Sequence, residues 1–141
     1  MTGCYNKIEL DEAIDKVWQR FTNFHDLSWA PEVVTSVEKV GDIEGDQVGA
    51  RRILNDVFHE TLTELNPQEY SLSYTIDDGP GPVAKDTVKN YVGNVKLSAN
   101  GDGTLVEWSS TFESQDEKQV QDFCNPIYRS LLTALKSNVD G

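Results

Sequence analysis

Six strand-like segments follow one another between residues 33 and 113, and a long helical pattern then closes the chain. The turns between them, such as residues 55–56 and 100–103, are too short for the crossovers that parallel strands need. We therefore expect an antiparallel sheet. One face of this sheet carries a regular apolar alternation and needs a cover, for which the final helix is the obvious candidate.

The segments have definite expected bounds. We predict strands at residues 3–10, 33–40, 47–54, 57–65, 70–77, 86–97 and 104–113. Asp11 is predicted to cap a first helix, with a second, very short helix near residues 25–29. The capping-box pattern that starts at Ser114 begins the last helix, which Pro126 should kink. Its predicted apolar stripe comprises Val120, Phe123, Ile127, Leu131, Ala134 and Leu135. We expect residues 1–141 to form one domain.

Charge excludes several classes of partner. The chain has 141 residues with 12 basic and 24 acidic side chains, so its net charge of −12 repels nucleic acid and anionic membranes. No apolar run is long enough to span a bilayer, and no secretory signal is visible, so we expect a cytoplasmic protein without integral membrane contact. Cys4 and Cys124 are then expected to be free thiols.

No cofactor or metal is expected. His25 and His59 are separated from each other and from the two cysteines, whereas a metal site needs three or four converging ligands. The chain contains no GxGxxG or P-loop pattern.

Two polar residues interrupt strand faces that are otherwise apolar. Glu60 alternates with Phe58 and Leu62, and Tyr91 shares its face with Val95. A buried carboxylate is costly unless it is paired or opens onto a cavity, so a lined pocket is indicated. Desolvation would make Glu60 a better general base and a nearby cation would oppose this, and the sequence does not decide between them. Tyr91 could orient a substrate oxygen or be a core tyrosine.

An ordered set of short stretches resembles the START/Bet v 1-like superfamily, in particular its polyketide cyclase/dehydrase and lipid-transport branch. The stretches are Val17-Trp18, Trp29-Ala30-Pro31 and residues 48–52, 59–62, 90–93, 104–109 and 132–136. The resemblance implies an α+β helix-grip fold. In this fold a curved antiparallel sheet of seven strands wraps around a long C-terminal helix, and two short helices follow the first strand.

The resemblance also implies a site. Residues 58–67 and 89–97 are similar to plant lachrymatory-factor synthases, whose proposed arginine, glutamate and tyrosine correspond to Arg52, Glu60 and Tyr91. Arg52 would then point inward, either to hold an oxyanion or to form a structural ion pair with Glu60. The other predicted ligand contacts are Trp29, Tyr74, Trp108, Phe112, Phe123 and Ile127.

We therefore expect a monomer or weak homodimer that binds a small hydrophobic or amphipathic molecule, such as a lipid, a polyketide-like compound or an aromatic. The alternative is a cofactor-free cyclase, dehydratase or isomerase, with Arg52, Glu60 and Tyr91 as its catalytic residues. A protein-interaction module ranks third, because it would need an exposed apolar patch that the sequence does not indicate.

Overall fold

The computed structural model describes residues 3–140, which form one sheet and two helices. The strands are β1 (Gly3–Leu10), β2 (Val37–Val40), β3 (Arg51–Leu54), β4 (Phe58–Asn66), β5 (Ser71–Asp78), β6 (Val88–Asn100) and β7 (Gly103–Ser114). The helices are α1 (Ile14–Gln19) and α2 (Glu117–Asp140). All neighbouring strands are antiparallel, in the order β1-β7-β6-β5-β4-β3-β2. The predicted α+β helix-grip architecture, a curved seven-stranded antiparallel sheet with a long C-terminal helix, is thus confirmed.

Helix α2 covers the concave side of the sheet and packs mainly on β1. It continues through Pro126, as predicted. Its buried stripe is rotated from the predicted one and comprises Val120, Cys124, Tyr128, Leu131, Leu132 and Leu135. Phe123, Ile127 and Ala134 are only partly buried. The i, i+4 spacing of residues 120, 124 and 128 therefore defines the face that meets the sheet.

The N-terminal cap of α2 lies two residues later than predicted. Asp116 Oδ1 accepts the backbone N–H of Gln119 at 3.0 Å. The Ser114 hydroxyl instead accepts the N–H of Asp116 at 3.2 Å. Ser114 still ends β7, so Asp116 is the residue that is free to cap the helix.

The segment after β1 contains one short helix and not two. Ala13 occupies the N-cap of α1 without a side-chain hydrogen bond, so the predicted cap at Asp11 is wrong. The Thr104 hydroxyl binds the carbonyl of Glu12 at 2.7 Å and ties the residues before the helix to β7. Residues 25–29 form turns, and the second short helical segment is a 3-10 turn between β5 and β6, at Gly81–Val83.

Asn55 explains why β2 begins at Val37 and not at the predicted Val33. Its side-chain Nδ2 donates to the carbonyl of Val33 at 3.0 Å, and its Oδ1 accepts the N–H of Thr35 at 2.7 Å. These backbone groups are therefore bound to Asn55 and not to a neighbouring strand. Asn55 and Asp56 have φ angles of 54° and 63°, and Val57 also belongs to the loop, which is therefore one residue longer than the predicted two-residue turn.

Gly93 makes room for an aromatic ring. It lies opposite Tyr74 in the β5–β6 pair, and a Cβ atom at Gly93 would lie 2.3 Å from Cζ of Tyr74. The sequence indicates free space beside Tyr91 at this position. The structure shows instead that the ring of Tyr74 fills it.

We expect Gly93→Ala to lower the free energy of unfolding by about 1–3 kcal/mol, because the added methyl group collides with the Tyr74 ring. Urea unfolding measures this cost. In a Tyr74→Leu background the same substitution should cost much less. An equal cost in both backgrounds would show that the ring is not the obstacle.

Candidate functional site

A cavity of about 130 Å³ lies between the sheet and α2. Its apolar wall comprises Leu27, Val33, Val34, Leu54, Phe58, Ile76, Trp108, Ile127 and Leu131. Its polar and sulfur-bearing wall comprises Arg52, Asn55, Glu60, Tyr74, Tyr91, Cys124 and Tyr128. An apolar chamber with a few converging polar groups is the usual form of a small-molecule site.

A buried ion pair forms part of this wall. Arg52 and Glu60 lie directly opposite one another on β3 and β4, because the three-residue loop at residues 55–57 sets the register of the hairpin. Arg52 Nε donates to Glu60 Oε1 at 2.8 Å, and Arg52 Nη2 lies 2.6 Å from the same oxygen. Both residues are more than 90% buried. No side chain or backbone group of residues 3–140 donates a hydrogen bond to Glu60 Oε2.

The guanidinium of Arg52 also binds the segment that follows α1. Its Nη1 donates to the carbonyl of Phe24 at 2.8 Å. Its Cζ lies 3.7 Å from the centre of the Phe24 ring, and 5.7 Å from that of Tyr74. A desolvated cation over an aromatic face is stabilised by the ring quadrupole. Arg52 therefore joins the outer strands to the chain that covers them.

Burial raises the pKa of Glu60 above its ordinary value. The charge of Arg52 and its hydrogen bond act in the opposite direction, and the nearby Asp77 adds to the increase. Desolvation is the largest of these effects. Glu60 is thus a carboxyl group that takes up a proton more readily than an exposed glutamate.

Two irregularities in the sheet lie beside the polar groups. On β6, Asn90 and Tyr91 together lie opposite the single residue Phe112, and Asn90 has a φ angle of 53°. On β5, Asp77 is the extra residue next to the pairing of Glu60. Bulges change the direction in which neighbouring side chains point, and they are common beside binding sites.

Four aromatic side chains form a polar cluster in the cavity wall. The hydroxyl groups of Tyr91 and Tyr128 are hydrogen-bonded to one another. Trp108 Nε1 donates to the Tyr74 hydroxyl at 3.0 Å, and the Trp108 ring stacks on Tyr128 with 5.6 Å between centroids. Burial raises the pKa of all three tyrosines, so they remain neutral hydrogen-bonding groups at physiological pH.

The structure brings most of the predicted site residues together and leaves three outside. Arg52, Glu60, Tyr74, Tyr91, Trp108 and Ile127 line the cavity. Phe112 stacks behind Tyr91 at 5.6 Å, and Phe123 packs against Phe58 at 6.4 Å. Trp29 packs against Phe21 and lines a groove on the outer side of α2. Phe112, Phe123 and Trp29 therefore do not line this cavity, although Trp29 lines a smaller pocket together with Arg52 and Tyr74, and the ligand contacts of all three stay predictions.

Besides Leu131, the predicted set omits two groups of α2 that line the cavity, Cys124 and Tyr128. Both belong to the buried face that begins at Val120 and repeats every four residues. The prediction instead placed the apolar residues Phe123 and Ile127 on this face. A cysteine and a tyrosine at the i+4 and i+8 positions were the signal that could have identified it.

Two other kinds of site were sought over residues 3–140. No group of three or more histidine, cysteine, aspartate or glutamate side chains is arranged to hold a metal ion. No helix in this part of the chain is long and apolar enough to cross a membrane.

A seven-stranded sheet closed by one long helix over an internal cavity defines a helix-grip protein of the START/Bet v 1-like superfamily. The family model described as polyketide cyclase / dehydrase and lipid transport matches residues 1–140. This chain belongs to that family. No curated protein matches it significantly.

Solved structures agree with this assignment. A protein from Nitrosospira multiformis is 41% identical with a TM-score of 0.94, over 98% of this chain and 96% of that one. Ginseng major latex-like protein 151 from Panax ginseng is 15% identical with a TM-score of 0.79, over 98% and 97%. Norcoclaurine synthase from Thalictrum flavum, solved with dopamine and hydroxybenzaldehyde, is 12% identical with a TM-score of 0.76, over 96% and 84%. The last two likenesses concern the fold alone.

The raised pKa of Glu60 predicts a specific pH dependence of stability. The native protein keeps the Glu60 carboxyl protonated at pH values above its ordinary pKa of 4.5. In this pH range Glu60 therefore binds more protons in the native state than in the unfolded state. Its contribution to the free energy of unfolding should therefore fall as the pH rises from about 4.5 through the raised native pKa. As the pH rises through this range, the free energy of unfolding of Glu60→Gln should increase relative to that of the original protein.

Urea unfolding between pH 4.5 and pH 8 measures the difference. Glu64→Gln is the matched control, because Glu64 lies on the same strand and is exposed. The raised pKa of Glu60 would be contradicted if the difference in free energy of unfolding between Glu60→Gln and the original protein did not change with pH. It would also be contradicted if Glu64→Gln showed the same change.

Proposed function

We propose that this protein binds a small hydrophobic or amphipathic molecule in the cavity between its sheet and α2. The observation that carries the proposal is the cavity itself, whose wall combines aliphatic and aromatic side chains with a small number of hydrogen-bonding groups. Family membership supports the same reading. The apolar surface would supply most of the affinity, and the polar groups would fix the orientation of the ligand.

The size of the cavity narrows the ligand class. A volume of about 130 Å³ is close to the roughly 150 Å³ of an apolar cavity known to hold benzene. A compact molecule with one ring therefore fits the described conformation. A molecule with several fused rings or a long acyl chain would need the segment at residues 27–34 to move away from α2.

The first test uses phenol and 2-naphthol as probes in isothermal titration calorimetry. We expect phenol to bind, and 2-naphthol to bind at least ten-fold more weakly because its second ring exceeds the space available. Ile76→Phe adds volume to the cavity wall and should weaken phenol binding at least ten-fold.

Ile43→Phe is the matched control, because Ile43 is exposed and lies outside the cavity wall. It should bind phenol as the original protein does. Phenol affinity that is unchanged in Ile76→Phe would contradict a ligand site in this cavity.

A second candidate function is proton-transfer catalysis without a cofactor, as in a cyclase, dehydratase or isomerase. The specific observation in its favour is that Glu60, whose pKa is raised, shares the cavity with the paired hydroxyls of Tyr91 and Tyr128. In this reaction class Glu60 would move a proton through its free Oε2. Arg52 would stabilise the developing oxyanion, and Tyr91 would orient the substrate oxygen.

Deuterium exchange tests this candidate without knowledge of the natural substrate. Cyclohexanone is compact, and its α-hydrogens exchange with D₂O when a base removes them. We expect the protein to accelerate this exchange, and Glu60→Gln to lose a factor of about 10²–10⁴ of the acceleration. Mass spectrometry follows the incorporation of deuterium.

The exposed Glu64→Gln variant serves as the control and should retain the full rate. If Glu60→Gln accelerates the exchange of cyclohexanone as much as the original protein does, Glu60 does not transfer the proton. Phenol binding in the same variant would then leave a binding protein as the remaining function.

A further inference from the structure

The two cysteines of the chain meet in the interior, although they lie near opposite ends of the sequence. Cys4 is on β1 and Cys124 is on α2, and each is 3% exposed. Cys124 also forms part of the cavity wall. Neither thiol is used by the proposed binding or proton-transfer reactions.

Two hydrogen bonds hold the strand and the helix together on either side of this pair. Gln121 Nε2 donates to the carbonyl of Gly3 at 2.9 Å. Asn6 Nδ2 donates to Asn125 Oδ1 at 2.8 Å. Residues 3–6 of β1 therefore lie alongside residues 121–125 of α2, which fixes the backbone around both sulfur atoms.

The two thiols shift each other's pKa in opposite directions. The neighbouring Cys124 lowers the pKa of Cys4 to about 7, and the hydroxyl of Ser110 acts in the same direction. The neighbouring Cys4 and burial raise the pKa of Cys124. Ser110 lies opposite Cys4 in the β1–β7 pair, and its buried Oγ has no hydrogen-bond partner among residues 3–140, so it is free to support a thiolate at Cys4.

We propose that Cys4 and Cys124 are an oxidation site, at which hydrogen peroxide converts the thiol pair into a reversible disulfide between the first strand and the last helix. Hydrogen bonds already hold β1 against α2 on either side of the pair, so the thiols need only a small movement to form an S–S bond of about 2.05 Å. Peroxide is small enough to enter the cavity, whose wall includes Cys124, the neighbour of Cys4.

The reaction balances with peroxide as the only oxidant. The Cys4 thiolate attacks one oxygen of H₂O₂, breaking the O–O bond and releasing hydroxide. Hydroxide then removes the proton from Cys124 to form water. The Cys124 thiolate attacks the sulfenic acid of Cys4, forming the S–S bond and releasing a second hydroxide. Both sulfur atoms are oxidised and both peroxide oxygens are reduced.

The disulfide would also change the candidate site, and this consequence rests on the proposed function. Cys124 and Tyr91 both line the cavity. A bond to Cys4 would draw the sulfur away from Tyr91 and towards β1. The affinity for phenol should therefore differ between the reduced and oxidised forms.

Peptide mapping tests the oxidation site independently of any ligand. The folded full-length protein is treated with hydrogen peroxide, alkylated, and digested with trypsin without reduction. We expect residues 1–7 to be linked to residues 119–129, with a loss of two hydrogens, in protein that remains a single chain on a non-reducing gel. Dithiothreitol should separate the peptides, and the oxidised form should melt roughly 5–15 °C higher than the reduced form.

Single-cysteine variants provide the control. In Cys124→Ser, Cys4 should stop at a sulfenic acid that dimedone traps, since the resolving thiol is missing. The proposal is overturned if both cysteines of the treated original protein are still alkylated after unfolding, or if they are oxidised to sulfinic acids without a link. It is also overturned if the only disulfides join two chains.

Discussion

The buried guanidinium of Arg52 is the interaction on which the candidate site depends. It holds Glu60 on the neighbouring strand, the carbonyl of Phe24 and the face of the Phe24 ring. The side chain of Arg52 therefore contacts both the outer strands and the segment after α1. Removing it would leave a buried carboxylate without a partner, which typically costs about 3–5 kcal/mol. Arg52 thus stabilises the fold and also forms part of the polar wall of the cavity.

Irregularities of the sheet lie beside the polar groups that face its apolar interior. A regular strand alternates strictly between its two faces, and one added residue changes which side chains point inward. Here extra residues lie beside Glu60 and at Tyr91, the two acid–base candidates on the sheet. Helix α2 then supplies Tyr128, whose hydroxyl satisfies that of Tyr91. The cavity keeps its polar groups because each has a partner on a different element.

Much of this arrangement could be predicted from local sequence, and its failures share one cause. The turn at Asn55-Asp56 locates the β3–β4 hairpin, so the hairpin follows from local sequence, although its loop also includes Val57 and thereby pairs Arg52 with Glu60 and not with His59. The binding of the backbone at residues 33–36 by the Asn55 side chain does not follow, because it joins groups about twenty residues apart. The rotation of α2 towards Cys124 was also missed, since apolar residues occupy both possible faces. Hydrophobic periodicity predicts where each helix or strand lies in the sequence, whereas tertiary packing decides which of its faces is buried.

The geometry of the ion pair bears on whether it is purely structural. A carboxylate that serves only to neutralise a buried arginine is best satisfied when both of its oxygens accept hydrogen bonds. Both contacts from Arg52 reach Oε1 of Glu60, and Oε2 accepts none from residues 3–140. This oxygen is not one of the fully buried side-chain atoms of residues 3–140 that lack a partner, so water or a ligand in the cavity can bind it. The asymmetry therefore favours a site in which Arg52 orients Glu60 and the free oxygen of Glu60 meets whatever enters the cavity.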